Sequence, residues 1–278
     1  MRVDAHHHVW RYDPAAYPWI GPGSRIAADF ETGELETAMT ACGIDGAIAV
    51  QARQLPEETQ ALVALAGRST AIIGVVGWID LRADDVADRL EETANSAIVG
   101  YRHVVQDETD DAFLLQDSFV RGVQAVVGRD LTYDILVNHR QLATVPAFLD
   151  RAGDGSFVLD HAAKPAIARG EWEPWASAIA EVARHANVWC KVSGLVTEAD
   201  HASWKAAQIE PYLDHIFTLF GPERLIWGSD WPVCLLAAEY GEVHDLVANY
   251  VARHCPAAEG AIFGENALRA YAISGAAA

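Results

Sequence analysis

Eight short runs rich in apolar and β-branched residues punctuate the chain, at 2–9, 45–51, 70–79, 97–103, 131–137, 156–161, 187–194 and 224–230. In the segments between them apolar positions return every three or four residues, the period of a helix with one buried face. These helical segments are 56–68, 84–94, 117–128, 139–153, 174–186, 206–221 and 242–254. The first opens with Pro56 and two glutamates, which suit a helix start, and closes near Gly67. Pro146 and Pro211 predict a kink or a shortening in two others. Segments 10–32 and 194–203 read as longer loops. Strands alternating with helices predict an α/β protein with a parallel sheet. Eight of them favour a (β/α)8 TIM barrel over an open doubly wound sheet, and no GxGxxG follows the first strand to support a dinucleotide fold. No linker or low-complexity block divides the chain, so residues 1–278 are read as a single domain.

The first run, RVDAHHHV, alternates as a strand does, with side chains two apart sharing a face. That places His6 and His8 on one side and His7 on the other. A tag remnant would sit apart from the fold. Here Val3 and Val9 bracket the histidines and Trp10 follows.

Composition narrows the partners. Against 20 basic residues stand 39 acidic ones, a formal net charge of −19, which repels nucleic-acid phosphates and anionic lipid surfaces. Neither nucleic acid nor membrane is therefore expected as a partner, and no apolar stretch approaches the ~20 residues needed to span a bilayer. Cys42, Cys190, Cys234 and Cys255 form no CxxC pair, so a disulfide framework or thiolate zinc site is not suggested. The first residues lack the pattern of a secretory leader, and the reading is a cytoplasmic enzyme.

In a (β/α)8 barrel the reactive groups gather at the carboxyl ends of the strands. Those ends are polar here: His6, His7 and His8 on the first strand, Gln51 and Arg53 after the second, and Arg102 and His103 on the fourth. Asp160 and His161 end the sixth, Lys191 and Ser193 lie on the seventh, and Asp230 closes the eighth. A lone histidine at a strand end is more often a hydrogen-bonded structural group than a reactive one. Convergence of several on one barrel mouth shifts that balance.

The segments DAHHHVW at 4–10, GYRHVVQDE at 100–108, LDHAAKP at 159–165, KVSGL at 191–195 and WGSDWPV at 227–233 resemble the amidohydrolase superfamily. Within it they are most similar to the branch of lactonases acting on L-fuconolactone, L-rhamnonolactone and 2-pyrone-4,6-dicarboxylate. They run in the family's order over most of the chain, and GYRHVVQDE is closer to the sugar lactonases. The resemblance implies a (β/α)8 barrel that hydrolyses a small sugar-acid lactone. It also implies a departure from the metal-rich members, because the fifth strand, LTYDILV, ends without a histidine and the fourth offers Arg102 and His103 where a bridging ligand would stand. A two-metal centre is not implied. A single zinc on His6, His8 and Asp230 remains open, as does a mechanism that requires no cofactor.

Lactone hydrolysis needs a base for water and donors near the carbonyl oxygen, where charge develops. Asp230 is read as the base, its pKa raised by burial against Trp231. His6, His8 and His161 are read as donors around the carbonyl. Substrate contacts are assigned to Arg102, Gln51, His103 and Lys191, with Arg102 preferred over its neighbour His103 because adjacent strand residues face opposite ways. Lys191, on an interior strand, needs an acidic partner such as Asp134 or Asp160, or a substrate. Lys164 is read as shaping the loop before Pro165. Trp10, Trp19, Trp78 and Trp231 are candidates to line a sugar-sized pocket. Two rival readings stand beside the lactonase: a zinc-dependent decarboxylase of the same superfamily, and a binding barrel without turnover. A homo-oligomer is compatible with either.

Overall fold

The computed structural model describes residues 1–273. Eight parallel strands lie in one sheet in chain order: β1 (Val3–His7), β2 (Gly46–Val50), β3 (Ile72–Gly77), β4 (Ile98–Val104), β5 (Thr132–Leu136), β6 (Phe157–Leu159), β7 (Val188–Val192) and β8 (Leu225–Trp227). Between and after them run α1 (Thr32–Ala41), α2 (Pro56–Ala66), α3 (Val86–Glu92), α4 (Asp117–Val127), α5 (Val145–Ala152), α6 (Trp175–Ala183), α7 (Ala206–Phe220), α8 (Tyr240–His254) and α9 (Asn266–Ala270). This is the (β/α)8 barrel that the pattern predicts. Pro146 marks the first turn of α5, which begins later than its periodicity suggests, whereas α7 runs through Pro211. No described helix is long and apolar enough to cross a membrane.

The sheet closes where its first and last strands meet. The Asp230 amide donates to the His6 carbonyl (2.8 Å) and the His8 amide to the Trp231 carbonyl (2.6 Å). Asp4, fully buried, fastens the same seam. One of its oxygens accepts from the Ser229 amide (2.8 Å) and the other from the Ser229 hydroxyl (2.6 Å) and the Tyr240 hydroxyl of α8 (3.1 Å). Burial pushes its carboxyl up to about 6 against those bonds, because leaving water disfavours the charged form.

Two cores follow from the strand period of two. The outer one packs the helices on the sheet, with Leu62, Phe119, Phe148, Ile179 and Leu213 among its members. The inner one fills the base of the barrel with Val3, Ile48, Val50, Val158 and Ile226, and Ala270 and Tyr271 close it from below. Above this apolar layer the interior turns to charge. Asp134, Asp160, Lys191 and Arg102 are all buried.

Candidate active site

The pairing of β1 with β2 shifts register between Asp4 and His7. A bulge of this kind re-aims side chains at the end of a strand. Asp4 consequently faces the seam with α8, while His6 turns into the barrel mouth with His8. His7 points the other way, buried with neither ring nitrogen bonded, and burial pushes it down to about 3. The alternation read from the sequence holds for the three histidines.

At the mouth, His6 Nε2 lies 3.3 Å from His8 Nε2 and 3.7 Å from Asp230 Oδ1. His8 Nε2 is 3.6 Å and His161 Nε2 4.0 Å from the same carboxylate oxygen. The His8 Nδ1–H donates to the Val50 carbonyl (2.7 Å), so its Nε2 lone pair faces the cluster. His161 Nδ1 pairs with the Ser193 hydroxyl (2.8 Å), which fixes the ring from β7.

Backbone strain aims two of these groups. His161, Ala162, Ala163 and Lys164 all have positive φ, between 47° and 57°, and so does Asp230 at 58°. Left-handed conformation in non-glycine residues costs energy and gathers at functional sites. Gly194, at φ +63°, completes the arrangement: a Cβ there would meet His161 Nδ1 at 2.6 Å. Gly194→Ala is therefore expected to displace His161 and lower turnover by roughly 10²-fold, the scale of a lost acid–base or donor group. Kinetics beside circular dichroism checks this, and a folded variant with unchanged turnover would refute it.

Beneath the mouth lies the charged layer. Lys191 Nζ, wholly buried, is 2.9 Å from Asp134, 2.8 Å from Asp160 and 3.2 Å from His6 Nδ1. Tyr271 donates to Asp134 from the barrel floor (2.7 Å). Arg102 Nη1 bonds Asp160 (2.8 Å) and lies 3.2 Å from His6 Nε2, while Nη2 donates to the Gln51 carbonyl (2.5 Å). Burial raises the Asp160 carboxyl, but Lys191, His6 and Arg102 outweigh it and hold it well below the usual range. Burial and the nearby Lys191 and His161 push His6 far down, against the pull of Asp160. His161 is pushed down to about 4, mainly by burial.

Several sequence readings are corrected here. Lys191, read as a substrate contact, is wholly buried between two carboxylates below the mouth. Arg102 has both terminal nitrogens engaged, so it offers positive charge behind His6 instead of a free fork. His103 lies on the far face of β4, stacked on Phe113, with Trp78 donating to its Nδ1 (3.3 Å) and its Nε2–H bonded to Glu108 (2.8 Å). Gln51 spends its amide on the Arg102 carbonyl and keeps a buried, unpartnered oxygen. Asp230 is not raised: burial pushes it up, but His161, His8 and His6 together pull it below the usual carboxylate range. Those neighbours come from the ends of β1 and β6, far from Asp230 in the chain, so the chain order alone does not reveal their sum.

Asp4, Ser193, Gly194 and Glu198 carry roles that the sequence reading left unassigned. Glu198 lies at the rim with Lys164 (3.8 Å), and its carboxyl is raised by burial and by Asp230 against the pull of Lys164. Trp10 stacks near His8 (6.3 Å between ring centroids) and also lines a cavity of about 550 Å3 with Tyr17, Phe30, Arg53 and Leu62. None of the four converging site residues lines that cavity.

The donor set suits a metal. His6, His161 and Asp230 offer ligand atoms within 4.8 Å of one another, and the His6–His8–Asp230 separations match the edges of about 3.3–3.6 Å that 2.0–2.2 Å bonds to tetrahedral zinc require. The trio read from sequence thus gains His161 as a fourth candidate ligand.

Imidazoles from β1 and the end of β6 with an aspartate after β8, at the carboxyl end of a (β/α)8 barrel, define a barrel enzyme with a hydrolytic type of centre. The profile of the amidohydrolase family matches residues 3–273, and the chain belongs to that family. It is 44% identical to an L-fucono-1,5-lactonase of Burkholderia multivorans, over 98% of this chain and 96% of that one. It is 36% identical, over the same shares, to an L-fucono-1,5-lactonase of Burkholderia ambifaria. A solved amidohydrolase from Burkholderia multivorans with zinc bound, 44% identical, superposes with a TM-score of 0.93 over 98% of this chain and 99% of that one.

Proposed function

We propose that this protein hydrolyses the internal ester of a small sugar-acid lactone of the L-fucono-1,5-lactone type. The observation that carries the reading is the convergence of Asp230 with three buried imidazoles at the barrel mouth, in a chain so similar end to end to proteins of that name. Asp230, ionised at neutral pH, takes a proton from water as the water attacks the lactone carbonyl. The oxyanion forms beside His6, with the fixed charge of Arg102 behind it. The ring C–O bond then breaks, the leaving oxygen gains a proton, and the product is an open-chain carboxylate. His161, oriented by Ser193 and 4.0 Å from the same Asp230 oxygen, passes that proton on.

His6, His8, His161 and Asp230 would hold a zinc, which when bound polarises a carbonyl as a Lewis acid. The charges surrounding His6 supply stabilisation of their own. Activity is therefore expected to survive dialysis against chelator. Proton release from a panel of aldonolactones, measured beside bound zinc, tests both points. Absence of turnover on every lactone would overturn the function, and activity falling in proportion to lost zinc would overturn the metal-free mechanism.

The imidazoles also set the pH response. His161 has its pKa pushed down to about 4, so it stays neutral well below the 6.5 of a free histidine. The rate constant kcat/KM is expected to stay level from neutral pH down to about pH 5 and to fall only as His161 protonates. An acid limb centred near 6.5, in a range where circular dichroism reports intact fold, would contradict this.

A further inference from the structure

Beside the four converging groups, the loops after β6 and β7 bring a cation and an anion together at the rim. Lys164 Nζ and Glu198 Oε1 are 3.8 Å apart, beyond a hydrogen bond, with side chains 24% and 25% exposed. Both lie close enough to act on the centre. Beyond burial, Lys164 is among the charges that push His161 down, and Asp230 among those that push Glu198 up. Their backbones are firmly held. Lys164, at φ 51°, donates its amide to the His161 carbonyl (2.9 Å), and its own carbonyl accepts from His139 Nδ1–H (3.2 Å). The Glu198 carbonyl accepts from the Ala168 amide (2.8 Å), which ties the two loops together. Arg169 Nη2 donates to His139 Nε2 (3.1 Å), so the loop after β5 is bound in as well.

The backbone polar groups are thus spent at the rim, and the two charged ends are not spent on each other. Left-handed backbone in a residue that carries a side chain is costly and gathers where it is used. A lysine ammonium can only donate and a carboxylate only accept, whereas a hydroxyl does both. A sugar-acid lactone presents hydroxyls on neighbouring ring carbons. We propose that Lys164 and Glu198 select the substrate by reading two neighbouring hydroxyls of the lactone ring, Lys164 donating to one and Glu198 accepting from the other. The inference rests on the lactonase reading and deepens it. Asp230 and the imidazoles act on the ester that every lactone has, and the rim pair acts on what distinguishes a sugar lactone from a plain one. A site built to bond a hydroxyl rejects the analogue that lacks it, because its own polar groups are then left unpaired.

Turnover of L-fucono-1,5-lactone and of δ-valerolactone, the same ring without hydroxyls, tests it in the wild type, in Lys164→Met and in Glu198→Gln. The readout is the ratio of the two kcat/KM values, in which a general loss of activity or of folded enzyme cancels. In each folded variant that ratio is expected to fall roughly tenfold or more. A ratio that stays put, whether both rates fall together or neither falls, overturns the proposal. The wild type supplies a test that needs no variant. Its preference for the hydroxylated lactone, with each rate taken relative to hydrolysis by hydroxide, is expected to exceed roughly a hundredfold. Absence of such a preference overturns the proposal. Failure of the wild type to open either lactone overturns the lactonase reading and this inference together, whereas turnover with an insensitive ratio overturns this inference alone.

Discussion

Asp230→Asn is expected to fold normally and to lose turnover by at least roughly 10²-fold, the lower range for a positioned base. Asparagine matches the carboxyl in shape, and the Asp230 amide still donates to the His6 carbonyl to close the barrel. What disappears is the one carboxylate oxygen that His6, His8 and His161 share. Because its pKa lies below the usual range, the wild-type group is ionised throughout the working range. Its removal is then a loss of base at every pH, not a shift of the profile. Steady-state kinetics and melting curves measured side by side decide the matter. Near-normal turnover in a stable variant would remove Asp230 as the base.

Lys191→Met is expected to be the most damaging change for stability. It leaves Asp134 without a cation, and Asp160 with Arg102 alone, where the ammonium lies within 2.9 Å of each. Breaking a buried ion pair by removing one partner typically costs about 3–5 kcal/mol, since the remaining charge is buried and uncompensated. In a chain of this size that corresponds to a fall in melting temperature of roughly 5–9 °C. Insoluble expression or a melt lowered by that amount agrees with the account. A melt within a few degrees of wild type would mean that the two carboxylates find another counter-charge or are already protonated.

The barrel was legible because its strands are short, apolar and regularly separated, and each of the eight runs read from the pattern holds a strand of the sheet. Helix α1 escaped because it buries only Leu35 and Met39 and so shows little of the repeating apolar face that marks the others. Of the site, the residues were visible but not all of their orientations. The alternation His6–His7–His8 holds although the register of β1 shifts between Asp4 and His7. Lys191 could be assigned a need for acidic partners from its burial alone, and both partners named for it are the ones it has. That both terminal nitrogens of Arg102 are engaged could not be known, since their partners come from β1 and from the ends of β2 and β6. The left-handed turn at 161–164 contains no glycine, so nothing in its local sequence announces it. The sign of the Asp230 shift depends on three imidazoles delivered by distant segments.

The seam between β1 and β8 has a consequence for the life of the molecule. His6 and Asp230 face one another across the joint, and Asp4 and Ser229, which fasten it, are 225 residues apart in the chain. Contacts of such long sequence separation form late, because closing the loop costs entropy before the contact rewards it. During synthesis His6 and His8 are made long before the segment after β8 that brings Asp230. The cluster of imidazoles and carboxylate therefore assembles only once β8 has joined β1, and any fragment truncated before β8, however well its early strands are formed, lacks the carboxylate at the barrel mouth.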